Sequence, residues 1–291
     1  MFHTSWDSVY RAVRHAVVWG VVHRPVQDVQ AIGVDEIAWK KGHRYLTLVY
    51  QIDARCRRLL WVSRDRKEDS LREFFDVFGE DVKPTLRYVS SDMWQAYLTV
   101  LGERAPQACH VLDRYHIMAH LNKAVDEIRA EEARRLKADG YEPVLKHARW
   151  CLLKRRGNLT RKQTVKLAEL QKYNLRTMRG WLLKEDFQRF WTYHRAGWAR
   201  RFLREWCSRA MRSCLEPMKR VAKMLRRHEA LILNWFRANG EISQGTVEGL
   251  NNKAKVTVRK SFGFRTYEGI ETALYQTLGD LPRQKLAHEF C

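Results

Sequence analysis

Hydrophobic positions along the chain change period several times, and each change marks a different kind of element. Residues 5–20 place Trp6, Val9, Val13, Ala16 and Val17 at helical spacing behind Ser5, a residue suited to cap a helix N-terminus; Pro25 ends the predicted helix. The N-terminal segment 1–30 is therefore helical, and it is either a helix-turn-helix remnant or a packing helix. From Ile32 the texture becomes short runs rich in Val, Ile, Leu and Tyr: AIGVDEIAW, HRYLTLVYQID and RRLLWVSRD, separated by charged or Gly-containing turns. These predict an antiparallel meander of three strands. Next, KEDSLREFFDVFGE sets Leu71, Phe74, Phe75 and Phe78 on one helical face, LRYVSSD reads as a strand, MWQAYLTVLG as a helix and QACHVLD as a fifth strand.

Three strands, helix, strand, helix, strand is the order of an RNase H-like α/β fold with a mixed sheet. Residues 31–113 are read as the first part of that core. From Tyr115 to about Asn239 strand signals vanish and helical stretches take over, among them HIMAHLNKAVDEIRAEEARRLKA and EPMKRVAKMLRRHEALILNWFRA, so residues 114–240 are expected to form a long all-α insertion. Six of the eleven tryptophans, Trp150, Trp181, Trp191, Trp198, Trp206 and Trp235, fall there, which argues for packed helices over a disordered tail. Residues 241–291 return to the core: Gly245 and Gly249 flank Glu248, which is expected to open a helix carrying Asn251 to Lys260, and Gly263 and Gly269 bracket a turn before the last helix.

At 291 residues and 45% hydrophobic content the chain can bury a substantial core. No run approaches the roughly 20 apolar residues of a membrane span, and Met1 to Asp7 lack the order of a signal peptide, so a cytoplasmic, nucleoid-associated protein is expected. The cysteines Cys56, Cys109, Cys151, Cys207, Cys214 and Cys291 contain no C-x-x-C pair, and Cys109 and His110 lie near His116 and His120 at a spacing that does not suit zinc; packing is the expected role. Charge changes the picture most. Against 33 acidic residues stand 54 basic ones, a net of +21, and 31 of the basic but 12 of the acidic residues lie between Arg114 and Gly240. A polyanionic partner is implied, nucleic acid before membrane.

Three acids stand where folding alone does not favour one: Asp35 inside the first strand after Ile32 and Val34, Asp92 at the end of the fourth strand, and Glu248 on the late helix. Adjacent first and fourth strands would set the two aspartates side by side, with a helix on the sheet bringing the glutamate. Crowded carboxylates repel unless cations neutralise them. Hard oxygen ligands suit magnesium, with manganese an alternative, and two ions about 4 Å apart can activate an attacking oxygen and stabilise the leaving one. The implied chemistry is phosphoryl transfer on nucleic acid. Glu36 points to the opposite face if the strand alternates, and Asp53 and Asp65 suit turns. After Glu248, the segment NNKAKVTVRKSFGFR adds Lys253, Lys255, Arg259, Lys260 and Arg265, expected to lie along a DNA backbone.

Six ordered motifs, GVDEIAWKKGHRYLTLVYQID, SSDMWQAY, VLDRYHIMAHLNKAVD, ARWCLLKRRGNLT, LRRHEALILNWF and SQGTVEGLNNKAKVTVRKSFGFR, together resemble the DDE transposases of bacterial insertion sequences, specifically the ISL-three group, over Ala31 to about Tyr275. The resemblance implies that Asp35 of G-x-D-E, Asp92 of D-M-W-x-A-Y and Glu248 of E-G-x-N are the catalytic, metal-binding triad, with a helical insertion in the 156 residues between Asp92 and Glu248. It also makes D-R-Y-H, Asp113 to His116, a group feature, with Asp113, His116 and Asn251 as supporting residues. Relatives usually carry an N-terminal zinc finger and helix-turn-helix modules, whereas this chain begins about 30 residues before the first catalytic strand.

The leading expectation is a transposase acting on double-stranded DNA, both element ends and target, as a homodimer or higher oligomer, with two magnesium ions. A truncated, catalytically silent DNA-binding derivative is the alternative, and another RNase H-like nuclease, such as a junction resolvase or RNA:DNA hydrolase, ranks third.

Overall fold

A computed structural model describes residues 5–40, 42, 44–238, 242 and 244–283. Residues 1–4, Gly240 and Cys291, which figure in the sequence reading, lie outside them. In chain order the elements are α1 (Trp6–His23), β1 (Ala31–Lys40), β2 (Arg44–Ile52), β3 (Arg57–Arg64), α2 (Glu68–Val82), β4 (Tyr88–Ser91), α3 (Gln95–Arg104) and β5 (Cys109–Leu112). The all-helical stretch follows as α4 (Arg114–Ala138), α5 (Arg149–Leu153), α6 (Arg161–Leu170), α7 (Arg176–Phe187), α8 (Ala196–Arg212), α9 (Glu216–Arg227) and α10 (Glu229–Ala238). Two helices, α11 (Gln244–Lys260) and α12 (Tyr267–Leu278), complete the described chain. It divides into two units, Met1–Asp113 with Ala238–Cys291, and Arg114–Arg237.

The first unit is built on a mixed sheet of order β3-β2-β1-β4-β5, antiparallel across β3, β2 and β1 and parallel across β1, β4 and β5. Side chains alternate across a strand, and the two faces of β1 have different partners. Ile32 and Val34, with Val49 of β2 and Leu60 of β3, join a core with Leu71, Phe74 and Phe75 of α2 and Tyr97, Val100 and Leu101 of α3. Gly33 and Asp35 face the other way, toward α11, while α12 packs on β3 and α1 on α12. Of the eighteen residues of α1 only Val17 and Gly20 are buried. This is an RNase H-like α/β fold with a helical insertion between β5 and α11.

The second unit is all helix. Helix α4 packs on α7 and α9, and α8 on α9. Its interior is aromatic: Trp181, Trp206, Phe187 and Phe190 are fully buried, and Trp206 Nε1 donates to Leu183 O at 2.9 Å. Trp150 and Trp198 are the exceptions among the expected core tryptophans, at 56% and 57% exposure. Leu175 precedes α7 and has no capping side chain, so the buried carboxylate of Glu132 on α4 takes the role, accepting from Arg176 N at 2.9 Å and Thr177 N at 2.7 Å. Burial lowers the pKa of Lys184, whose ammonium donates to Leu152 O at 2.6 Å and pairs with Glu185 at 2.9 Å.

Three expectations are corrected. The stretch 216–238 is two helices, broken at His228 with φ −105°; with neither Gly nor Pro at the break, the apolar periodicity carries no sign of it. Glu248 does not open its helix but stands in the second turn of α11. Gly269 lies inside the first turn of α12, where its N–H donates to the capping hydroxyl of Thr266. The five described cysteines are free thiols, and among the described residues no group of three His, Cys, Asp or Glu is placed to hold a metal.

Candidate active site

The sheet register determines which acids meet. Gly33 of β1 is level with Ser90 of β4, the last pair of that ladder, and the same register carried two residues on sets Asp35 against Asp92, the residue that follows β4. Ser91 of β4 is in turn level with Leu112 of β5, which brings Asp113 level with Asp92, and Asp113 N donates to Ser91 O at 2.9 Å. Level residues on neighbouring parallel strands share a face and stand about 4.8 Å apart. Asp35, midway along β1, and Asp92 and Asp113, just past the ends of β4 and β5, therefore form a row across the sheet on the side toward α11. Asp35 and Asp92 are partly buried and Asp113 is buried.

Helix α11 reaches this row because β1 carries no side chain at Gly33. A Cβ there would come within 2.4 Å of Val247 Cγ2, so only glycine lets the helix lie this close. One turn beyond Val247, buried Asn251 donates through Nδ2 to Asp35 Oδ2 and accepts through Oδ1 from the Tyr50 hydroxyl at 2.7 Å. Burial, and secondarily the charge of Asp35, hold the Tyr50 phenol well above its ordinary pKa. It stays protonated and donates, which obliges Asn251 to turn its NH₂ toward Asp35. The other oxygen, Asp35 Oδ1, accepts from Glu36 N at 2.8 Å.

Asp92 is held from the opposite side. Its Oδ1 accepts from Trp94 N at 2.9 Å, and Trp94 Nε1 donates to Arg66 O at 2.9 Å. The Arg66 guanidinium lies over the rings of Tyr45 and Trp94, at 4.4 and 4.5 Å, and 3.6 Å from Glu36. Glu36 thus faces away from Asp35, as strand alternation predicts. Asp53 occupies a turn, its carbonyl accepting from Cys56 N, whereas Asp65, expected in a turn, forms a bridge to Leu46 with φ 67°, its N–H donating to Tyr45 O at 3.0 Å. On the opposite face of the sheet Ser91 Oγ and His110 Nε2 are 2.7 Å apart, and burial brings the imidazole pKa down to about 4.

Glu248 lies between Val247, which packs on Gly33, and Asn251, which binds Asp35, but its side chain is exposed. At 100° per residue, Glu248, Asn252, Lys255 and Arg259 fall on one exposed stripe of α11. Lys260 lies on another side, and Lys253 lines a cavity beside α1 and α12. Arg265 is exposed beyond α11, where its carbonyl accepts from Lys40 Nζ at 2.6 Å. His116 belongs to α4 in the second unit, edge-on to Tyr115 with centroids 5.7 Å apart.

The donor set of two level aspartates and a glutamate on the covering helix has the hard oxygen chemistry of a divalent-cation site. Asp35 is tied to the covering helix through Asn251, and Glu248 stands exposed on that helix about one turn earlier. Sequence reasoning missed Tyr50, Tyr45 and Arg66. Trp94 was visible inside D-M-W-x-A-Y, but the other three look like ordinary strand and turn residues.

A family model of DDE transposases, described as "Transposase", matches residues 32–274. The transposase for insertion sequence element IS1001 of Bordetella parapertussis is 30% identical over 269 residues, covering 92% of this chain and 65% of that protein. The transposase for insertion sequence element IS1557 of Mycobacterium tuberculosis is 28% identical over 303 residues, covering 96% of this chain and 67% of that protein. The chain thus spans about two thirds of the length of these relatives. With a matched region that runs from the first residues of β1 into α12, the chain belongs to the ISL-three (ISL3) group of DDE transposases.

Proposed function

We propose that this chain carries the catalytic centre of an insertion-sequence transposase that cleaves DNA at the element ends and joins the freed ends to target DNA. Asp35, Asp92 and Glu248 are its metal ligands. The observation that carries the reading is the level placement of Asp35 and Asp92 on the face to which Asn251 ties α11. Two magnesium ions, when bound, would supply an activated attacking oxygen and a neutralised leaving oxygen.

The protein's own groups do the rest. Tyr50 and Asn251 orient Asp35, and the Trp94 amide orients Asp92. Asp113 adds negative charge to the row, and His116 is assigned with it as a supporting residue. Lys255 and Arg259, in line with Glu248, hold the phosphate backbone beside the scissile bond, while Lys253, Lys260 and Arg265 extend the basic surface. Joining two ends in one event calls for at least two copies of the chain on DNA.

The test is cleavage of a labelled duplex bearing the element's own end, by wild type and by Asp92→Asn, with and without magnesium. Metal-dependent nicking by the wild type, abolished in the variant, is expected. Nicking that persists in Asp92→Asn would sink the assignment, and binding without nicking by the wild type would favour the silent DNA-binding derivative.

A further inference from the structure

The turn that ends α11 holds an aromatic ring where helices rarely tolerate one. Phe262 N donates to Arg259 O at 3.1 Å and Gly263 N donates to Val258 O at 3.0 Å, the bond pair that closes a helix through one left-handed residue. That residue is normally glycine. Here it is Phe262, with φ 53°, and the glycine comes one position later with φ 91°. The Phe262 side chain is fully exposed, at 102% of its reference area. Single exposed hydrophobic residues are ordinary, but a bulky one in a left-handed conformation, fixed by two backbone bonds and facing solvent, serves neither packing nor local folding.

Its surroundings indicate what the ring meets. No Asp or Glu occurs between Glu248 and Glu268, while Lys253, Lys255, Arg259, Lys260 and Arg265 do. A phosphate backbone is drawn to such a segment, and an apolar side chain presented there can enter a base step and unstack it. A receptor for the displaced base lies nearby. Three residues on, Arg265 lines a cavity of about 380 Å³ with Trp39, Lys40, Arg44, Tyr45 and Tyr267; three residues span at most about 11 Å. Rings offer faces for a base and cations offer partners for its phosphate. The Lys40 ammonium already lies 4.5 Å over Trp39, and Arg64 lies 4.3 Å over Tyr267. Of the two carboxylates lining the cavity, Asp65 and Glu268, the latter is paired with Arg64 at 3.4 Å. Trp39 is four residues along β1 from Asp35, about 13 Å, so the cavity is a few nucleotides from the aspartate row.

We propose that Phe262 is a wedge that unstacks a base of the bound DNA, and that the cavity at Trp39 and Tyr267 receives the displaced nucleotide. This rests on the DNA-processing reading above. The experiment is permanganate footprinting, without divalent metal, on duplexes of the element's end in which thymine is placed in turn at successive positions. Binding is measured by gel shift in the same samples. Wild type should make a thymine several-fold more reactive than in free DNA. Phe262→Ala should lose that reactivity while affinity falls by no more than about tenfold, Phe262→Trp should retain it, and Trp39→Ala should reduce it. Val77→Ala, an exposed apolar position on α2, should match wild type. Wild-type binding with no reactive thymine, or equal reactivity in Phe262→Ala, would overturn the wedge alone; absence of wild-type binding would overturn the DNA-processing reading together with it.

Discussion

Among single side chains, Tyr50, Asn251 and Asp35 show how a neutral buried group can steer a charged one. A carboxylate beside a freely rotating amide can meet either NH₂ or C=O; the Tyr50 hydroxyl removes that choice by occupying Asn251 Oδ1. Tyr50→Phe should therefore cost about 1 kcal/mol of stability in urea unfolding and slow single-turnover cleavage more than it weakens DNA binding. Cleavage at the wild-type rate would show that Asp35 needs no such steering. None of this is legible in the sequence: Tyr50 reads as one more hydrophobic residue in a strand, and its partner lies 201 residues away. Asp35 and Asp92 are legible because an acid within an apolar strand stands out wherever it pairs. Phe262 belongs to the same scale, since a left-handed bulky residue gives up roughly 1–2 kcal/mol, and the sequence SFGFR shows glycine nearby but not which residue takes the turn.

Elements meet here through one missing side chain. Gly33 lies opposite Tyr50 in the β1–β2 ladder and beneath Val247 of α11, so strand pairing and helix docking share the position. Gly33→Ala should push α11 outward, separate Asn251 from Asp35, lower stability by about 1–3 kcal/mol and depress cleavage. Val247→Ala in the same chain should recover much of both, measured by thermal unfolding and cleavage together. A double variant no better than the single one would mean that Ile52, whose Cγ2 would be 3.3 Å from the new Cβ, is the obstructing neighbour. Strand order and the helices that alternate with the later strands were readable from period alone, because a half-buried strand and an amphipathic helix write different periods. The break at His228 and the start of α11 at Gln244 were not, since each depends on what the helix packs against.

For the whole molecule the dominant quantities are charge and chain order. The net charge of +21 predicts DNA affinity that falls steeply with salt, and each phosphate that a variant no longer neutralises lowers the log–log slope by about 0.9. Lys255→Ala with Arg259→Ala should thus reduce the slope by about 2; an unchanged slope would remove both from the interface. Chain order has another outcome. The sheet of the first unit is encoded before Asp113, the second unit fills the next stretch, and α11 follows. Asn251 trails Asp35 by 216 residues, about ten to forty seconds of bacterial translation at ordinary rates. A ribosome that stalls inside the helical unit releases a polypeptide with both aspartates but neither Glu248 nor the amide that orients Asp35. On the proposed assignment such unfinished copies are disarmed, because the three acids are united in one chain only once α11 has been made.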